Sequence, residues 1–141
     1  MIVVDASVVV KWFCPEEDEA VAQRLLESEQ RLIAPALVRV EVAAAITKKA
    51  RRGEMSPARA SAVLDLWYEA ASGGPLVIVP DQHDLPAASH IALAIGHSLH
   101  DCLYLALAER HGVPLVTADR NFHRRAGAAH PSLRLLGNLP E

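Results

Sequence analysis

Four acids stand in apolar company along this 141-residue chain, and the contrast marks where chemistry is to be sought. Asp5 follows Ile2-Val3-Val4, Glu41 lies inside Val40-Glu41-Val42-Ala43-Ala44-Ala45-Ile46, Asp101 precedes the run from Cys102 to Ala108, and Asp119 follows Leu115-Val116-Thr117-Ala118. Asp5, Asp101 and Asp119 fall just before or at an expected helix start, where an Asp commonly accepts hydrogen bonds from free backbone N–H groups. Glu41 has no such use: within a helix it must reach solvent, meet a cation or bear a large desolvation cost. Its neighbour Arg39 points elsewhere around the helix. Four carboxylates in one crevice repel one another at neutral pH, and a divalent cation relieves that repulsion. Hard oxygen donors suit Mg²⁺, with Mn²⁺ as a substitute. Such a site does phosphoryl chemistry, because the ion lowers the pKa of an attacking water and offsets charge building on a phosphodiester. Thr117 and Ser7 are candidates to orient that water or one of the acids, or are ordinary turn hydroxyls.

The elements that must position these acids are short. Ile2 to Val4, Leu32 to Ala34, Leu76 to Val79, Leu115 to Thr117 and Leu133 to Leu136 read as buried strands. Helical patterns fill the intervals: Pro35 to Arg52 with Pro35 in the first turn, a helix from Ser56-Pro57 to Ser72, Leu85 to Gly96, His100 to His111, and a short one after Asp119. The helix from His100 is apolar on most of its circumference, which predicts a central place. Strands alternating with helices imply an α/β fold, a three-layer α/β/α sandwich around a central parallel sheet. In such sheets ligands bind beyond the carboxyl ends of the strands, where strand order reverses. Asp5 and Asp119 share that crevice if their strands are neighbours, and Glu41 and Asp101 enter from the same end.

Composition narrows the classes. A hydrophobic share of 51% with 22% charged residues fits one compact domain over residues 1–141. A net charge of -3 speaks against a general basic field for polyanions, and 4% aromatics against a stacking platform for single-stranded nucleic acid. Cys14 and Cys102 show no metal or redox spacing and read as free thiols. With no basic leader before Asp5 and no long apolar span, the expected location is cytoplasmic, with no membrane partner.

Other charged groups have double readings. Lys48, Lys49, Arg51 and Arg52 either steer a polyanion or offset the helix dipole, while Arg120, Arg124 and Arg125 are placed for a phosphate contact or are solvated charges. His97 and His100 at i, i+3 beside Asp101 evoke zinc, but an expected turn from Gly96 to Leu99 spoils the spacing and no Cys completes a set. Trp67 and Tyr68 read as core packing on a helix face.

Taken together, Val3-Val4-Asp5-Ala6-Ser7, Glu41, His100-Asp101-Cys102-Leu103-Tyr104-Leu105-Ala106-Leu107-Ala108 and Val116-Thr117-Ala118-Asp119-Arg120-Asn121-Phe122 resemble the PIN-domain superfamily, in particular the VapC toxins of toxin–antitoxin pairs. The resemblance covers nearly the whole chain. It implies strand order 3-2-1-4-5, Mg²⁺- or Mn²⁺-dependent endoribonuclease activity, homodimers, and neutralisation by a small VapB-like antitoxin. It also implies hydrolysis of RNA by a metal-activated water, with Asp5, Asp101 and Asp119 as metal-side ligands and Glu41 as ligand or base, and Thr117 in a supporting role. Asn121 departs from the pattern, since many members carry an acid there, and a second metal site is thereby weakened. Two rivals are a phospho-accepting receiver using Asp81 and Thr117, and a catalytically silent PIN-like binding module. The receiver needs paired acids after the first strand and a Lys beyond the fifth, and the chain has neither.

Overall fold

In the computed structural model, which describes residues 1–140, five strands form one sheet: β1 (Ile2–Val4), β2 (Leu32–Pro35), β3 (Leu76–Val79), β4 (Leu115–Thr117) and β5 (Leu133–Leu135). Every pairing is parallel and the order is β3-β2-β1-β4-β5, as the resemblance implied. The chain runs outward through β2 and β3 and then returns to the other side of β1, so strand order reverses between β1 and β4. Val4 is in register with Val116 there. The residues that follow, Asp5 and Thr117, therefore emerge side by side.

Seven helices connect the strands: α1 (Ala6–Val9), α2 (Glu19–Glu27), α3 (Val38–Arg51), α4 (Pro57–Gly73), α5 (Leu85–Ile95), α6 (Leu99–His111) and α7 (Arg120–Ala126). A 3-10 turn at Val10–Trp12 continues α1, and a second covers Leu136–Asn138, where the sequence had been read as strand to Leu136. A helix start after Asp5 is met by α1, whereas α2 carried no sequence expectation. Pro35 is a correction. It closes β2 instead of opening α3, in register with Val79 alone because β1 ends short of it, and a missing N–H is tolerated at a strand end. Ala36 N–H takes up the bond to the Val79 carbonyl at 2.8 Å, and Leu37 N–H donates to the Asp81 carboxylate at 3.1 Å. The turn before α3 is thus pinned by Asp81, the residue a receiver would have phosphorylated.

The core is aliphatic, as the composition required. Seven consecutive residues of α6, Cys102 to Ala108, are buried. One side, with Tyr104, Leu105, Leu107 and Ala108, joins the main core, and the other, with Cys102, Leu103 and Ala106, packs with Ala88 of α5. A helix with no free face cannot slide or rotate without losing contacts on both sides. That fixes Asp101, one residue before the buried run. Trp67 is buried and donates its indole N–H to the Arg39 carbonyl at 3.1 Å, tying α4 to α3, whereas Tyr68 is exposed and does not pack in the core. Among the described residues no single helix is long and apolar enough to cross a membrane.

Candidate active site

The site assembles at the carboxyl end of β1. Asp5 occupies the residue before α1, but its side chain makes no capping bond to that helix. It turns toward β4. Thr117 Oγ1 donates to Asp5 Oδ2 at 2.9 Å and Ser7 Oγ donates to the same oxygen at 2.5 Å. Both donors fall on Oδ2, leaving Oδ1 without a hydrogen bond among the described residues. Ser7 and Thr117 also accept from the backbone, Ala118 N–H reaching Ser7 Oγ at 2.9 Å and Asp119 N–H reaching Thr117 Oγ1 at 3.1 Å. The two hydroxyls are thus hydrogen-bonded to an acid rather than only to their own turns.

Asp5 is 4% exposed, and its carboxyl is pushed up to about 7. Burial is the main cause, Asp101 and Glu41 add repulsion, and the hydrogen bonds from Ser7 and Thr117 oppose the rise. Glu41, in the first turn of α3, is likewise raised, chiefly by burial and then by Asp101, with Tyr104 and His100 opposing. The Tyr104 hydroxyl lies close enough to Glu41 to offset part of that rise, yet the geometry falls short of a hydrogen bond. Glu41 Oε1 and Tyr104 Oη are both buried without a partner among the described residues. Burial and the charges of Asp5 and Glu41 drive the Tyr104 hydroxyl far above its ordinary pKa, so it stays protonated and can only donate to an acid.

Three of the four expected acids, Asp5, Glu41 and Asp101, thus come from β1, α3 and α6 into mutual electrostatic range around Tyr104. Asp119 differs. Its Oδ1 accepts from Asn121 N–H at 2.9 Å and Phe122 N–H at 3.0 Å, so here the capping reading holds, and the acid joins the site through its backbone bond to Thr117. Asp101 does not cap α6, because Ser98 holds that position and accepts from Asp101 N–H at 3.4 Å. Its carboxylate is free to meet His97 Nε2 at 2.6 Å. Among the described residues no three His, Cys, Asp or Glu side chains stand close enough to form a ready-made metal shell. The donors are nonetheless hard oxygens, one of them buried and unpartnered.

The flanking cations are engaged. Arg125 donates to the Gly96 carbonyl at 2.7 Å, Arg124 to Asn121 Oδ1 at 3.0 Å and Arg120 to Glu17 at 3.2 Å. Lys48, Lys49 and Arg51 occupy the last turn of α3, as dipole compensation requires, and Lys49 pairs with Glu16. His97 serves Asp101 instead of a zinc set. Cys14 and Cys102 are free and buried, and burial pushes the Cys102 thiol up to about 11. Sequence reasoning overlooked Tyr104 and the His97 contact. Tyr104 stands three residues beyond Asp101 on the same helix, and that spacing was the available signal; His97 lies in the link before α6, where no helical spacing announces its contact.

Residues 2–128 match the family model for the PIN domain. The chain is 35% identical over 119 residues to Ribonuclease VapC3 of Pyrobaculum aerophilum, covering 84% of this chain and 89% of that protein. Among solved structures, it superposes on FitAcB from Neisseria gonorrhoeae with a TM-score of 0.71 at 18% identity, covering 99% of this chain and 100% of that one. It also superposes on the sarcin-ricin loop cleaving toxin VapC20 of Mycobacterium tuberculosis, with a TM-score of 0.64 at 18% identity and coverage of 88% and 94%. These two structural likenesses concern the fold.

Proposed function

The chain belongs to the PIN-domain family, and on that footing we propose that it is a metal-dependent endoribonuclease, the toxin of a type II toxin–antitoxin pair. The observation that carries the proposal is the meeting of Asp5, Glu41 and Asp101 around the Tyr104 hydroxyl at the β1–β4 switch point. A stable fold has no need to set a buried carboxylate within range of two half-buried ones. A nuclease does.

The residues fit a Mg²⁺ ion, or Mn²⁺ in its place. Mg²⁺ keeps most of its waters and takes only one or two carboxylates, so a closed protein shell is not required. Asp5, through the Oδ1 that Ser7 and Thr117 leave free, and Asp101 would hold it, with the second oxygen of Asp119 as a further donor. When bound, the ion supplies an activated water and neutralises charge on the phosphodiester. Glu41, held above the ordinary carboxyl range, would serve as the proton acceptor at its unpartnered Oε1. Tyr104, held protonated by burial, places an unpartnered hydroxyl near the equally unpartnered Glu41 Oε1. Ser7 and Thr117 keep Asp5 aimed, and Asp119 holds the start of α7 against β4.

A groove of about 520 Å³ between α3 and α4, lined by Arg39, Val40, Thr47, Trp67 and Tyr68, supports a VapB-like antitoxin as partner. Val40 and Tyr68 are exposed there. The exposed Leu93 on α5 supports a homodimer, and the reading places the protein in the cytoplasm. Cleavage of structured RNA by the purified chain, with products mapped at their 5′ ends, tests the function. Cutting that needs Mg²⁺ or Mn²⁺ and fails in Asp101→Asn supports it. Undiminished cutting in EDTA, or by Asp101→Asn, overturns it.

A further inference from the structure

The three-residue link between α5 and α6 is held on every side. Gly96 ends α5 at φ 64°, a left-handed conformation that favours glycine, and its carbonyl accepts from Arg125 of α7 at 2.7 Å. Ser98 caps α6. Between them the His97 ring stacks on Phe122 of α7, with centroids 4.8 Å apart and planes within 8°. Phe122 is fully buried, and its backbone N–H is one of the two donors that Asp119 accepts. The His97 side chain is only 8% exposed, and its Nε2 lies 2.6 Å from Asp101 Oδ2.

An imidazole used only for packing would not turn a ring nitrogen onto an acid of the site. We propose that His97 is a positioning residue: its Nε2–H holds Asp101 Oδ2 and aims the other oxygen into the site, while stacking on Phe122 fixes the ring against the helix that Asp119 caps. The inference rests on Asp101 being part of the nuclease site. Asp101 lies on the exposed first turn of α6 and has several rotamers open to it, and one short hydrogen bond from a locked ring selects among them. The same ring couples the two acids on either side of β4 through Phe122, so that α6 and α7 present them in fixed relation. Groups that orient a metal-side carboxylate typically matter by roughly 10- to 100-fold in metal affinity.

The test compares His97→Gln with His97→Asn. Both lose the stack on Phe122, but the Gln amide reaches the place of Nε2 and the Asn amide stops short, near Nδ1. His97→Phe keeps the stack and loses the donor. Mn²⁺ affinity is read by water-proton relaxation without RNA, with thermal unfolding on each variant and Asp101→Asn alongside. The expected result is a loss of at most about 5-fold in His97→Gln, which keeps the donor without the stack, and of roughly 10-fold or more in His97→Asn and His97→Phe. Equal affinity in His97→Gln and His97→Asn, whether strong or weak, overturns the hydrogen-bond role even if His97→Phe does not fold. Wild type and Asp101→Asn binding alike, or neither binding, overturns the nuclease-site reading beneath it and the inference with it.

Discussion

Thr117 Oγ1 donates a 2.9 Å hydrogen bond to Asp5 Oδ2 across 112 residues of chain, from a side chain with no exposure to a carboxylate that is 4% exposed. The β1–β4 register sets this contact, since Val4 opposite Val116 delivers the next residue of each strand to the same place. A buried acid is thereby tethered at one oxygen and free at the other.

Thr117→Val keeps the volume and removes the donor. It leaves Asp5 with one hydroxyl partner, deprives Asp119 N–H of its acceptor, and raises the Asp5 carboxyl further. The expected cost is about 1–3 kcal/mol of stability, by thermal unfolding, and roughly a 10-fold loss of RNA cleavage. Thr117→Ser should retain both. Unchanged cleavage in Thr117→Val would show that the tether is dispensable.

Asp5 also predicts a pH dependence of stability. Its carboxyl is raised from 3.8 to about 7, so the folded state binds this proton better than the unfolded chain does. Its contribution is fully present below pH 3.8 and is lost as pH rises toward about 7, a change of about 4 kcal/mol. In EDTA, Asp5→Asn should therefore gain stability relative to wild type as pH rises from 4 to 8. A difference in melting temperature that is flat across that range would contradict the burial of a charged Asp5.

Tyr104→Phe removes a hydroxyl that is buried without a partner. The expectation is a gain of about 1 kcal/mol in unfolding free energy, together with weakened cleavage because Glu41 loses its neighbouring donor. Denaturant titration and the cleavage assay read the two separately. A clear loss of stability would mean the hydroxyl is paired in solution.

Arg110 offers a control remote from the chemistry. Its guanidinium donates to both oxygens of Asp84, at 2.6 and 3.1 Å, and Asp84 is 2% exposed. Arg110→Met strands that carboxylate. The cost should be about 2–3 kcal/mol, below the full penalty of a deeply buried pair because Arg110 itself is 44% exposed. Mn²⁺ affinity of the folded variant should stay at the wild-type level.

β1 and β4 and the acids after them were legible because each is an aliphatic run leading to a polar residue, and α6 because it is apolar over most of its circumference. Strand order was available only through the family resemblance, since short identical-looking strands carry no label of their neighbours. A helix start after Asp5 was legible, but not its extent through Trp12, because Val8-Val9-Val10 favours neither helix nor strand by pattern. Pro35 misled because a proline that suits a helix start suits a strand end equally well. Of the four acids expected together, Asp5, Glu41 and Asp101 lie within electrostatic range of one another. Asp119 turns Oδ1 to the α7 cap, and no spacing rule separates a capping Asp from one aimed at a crevice.

The central claim is that Asp5 and Asp101 hold a divalent cation beside Glu41, and Mn²⁺ binding measured by water-proton relaxation on the wild type and on folded Asp101→Asn, without RNA, tests it most directly. The account predicts binding by wild type that weakens in the variant. Equal binding, or no binding to either protein at millimolar Mn²⁺, would contradict it.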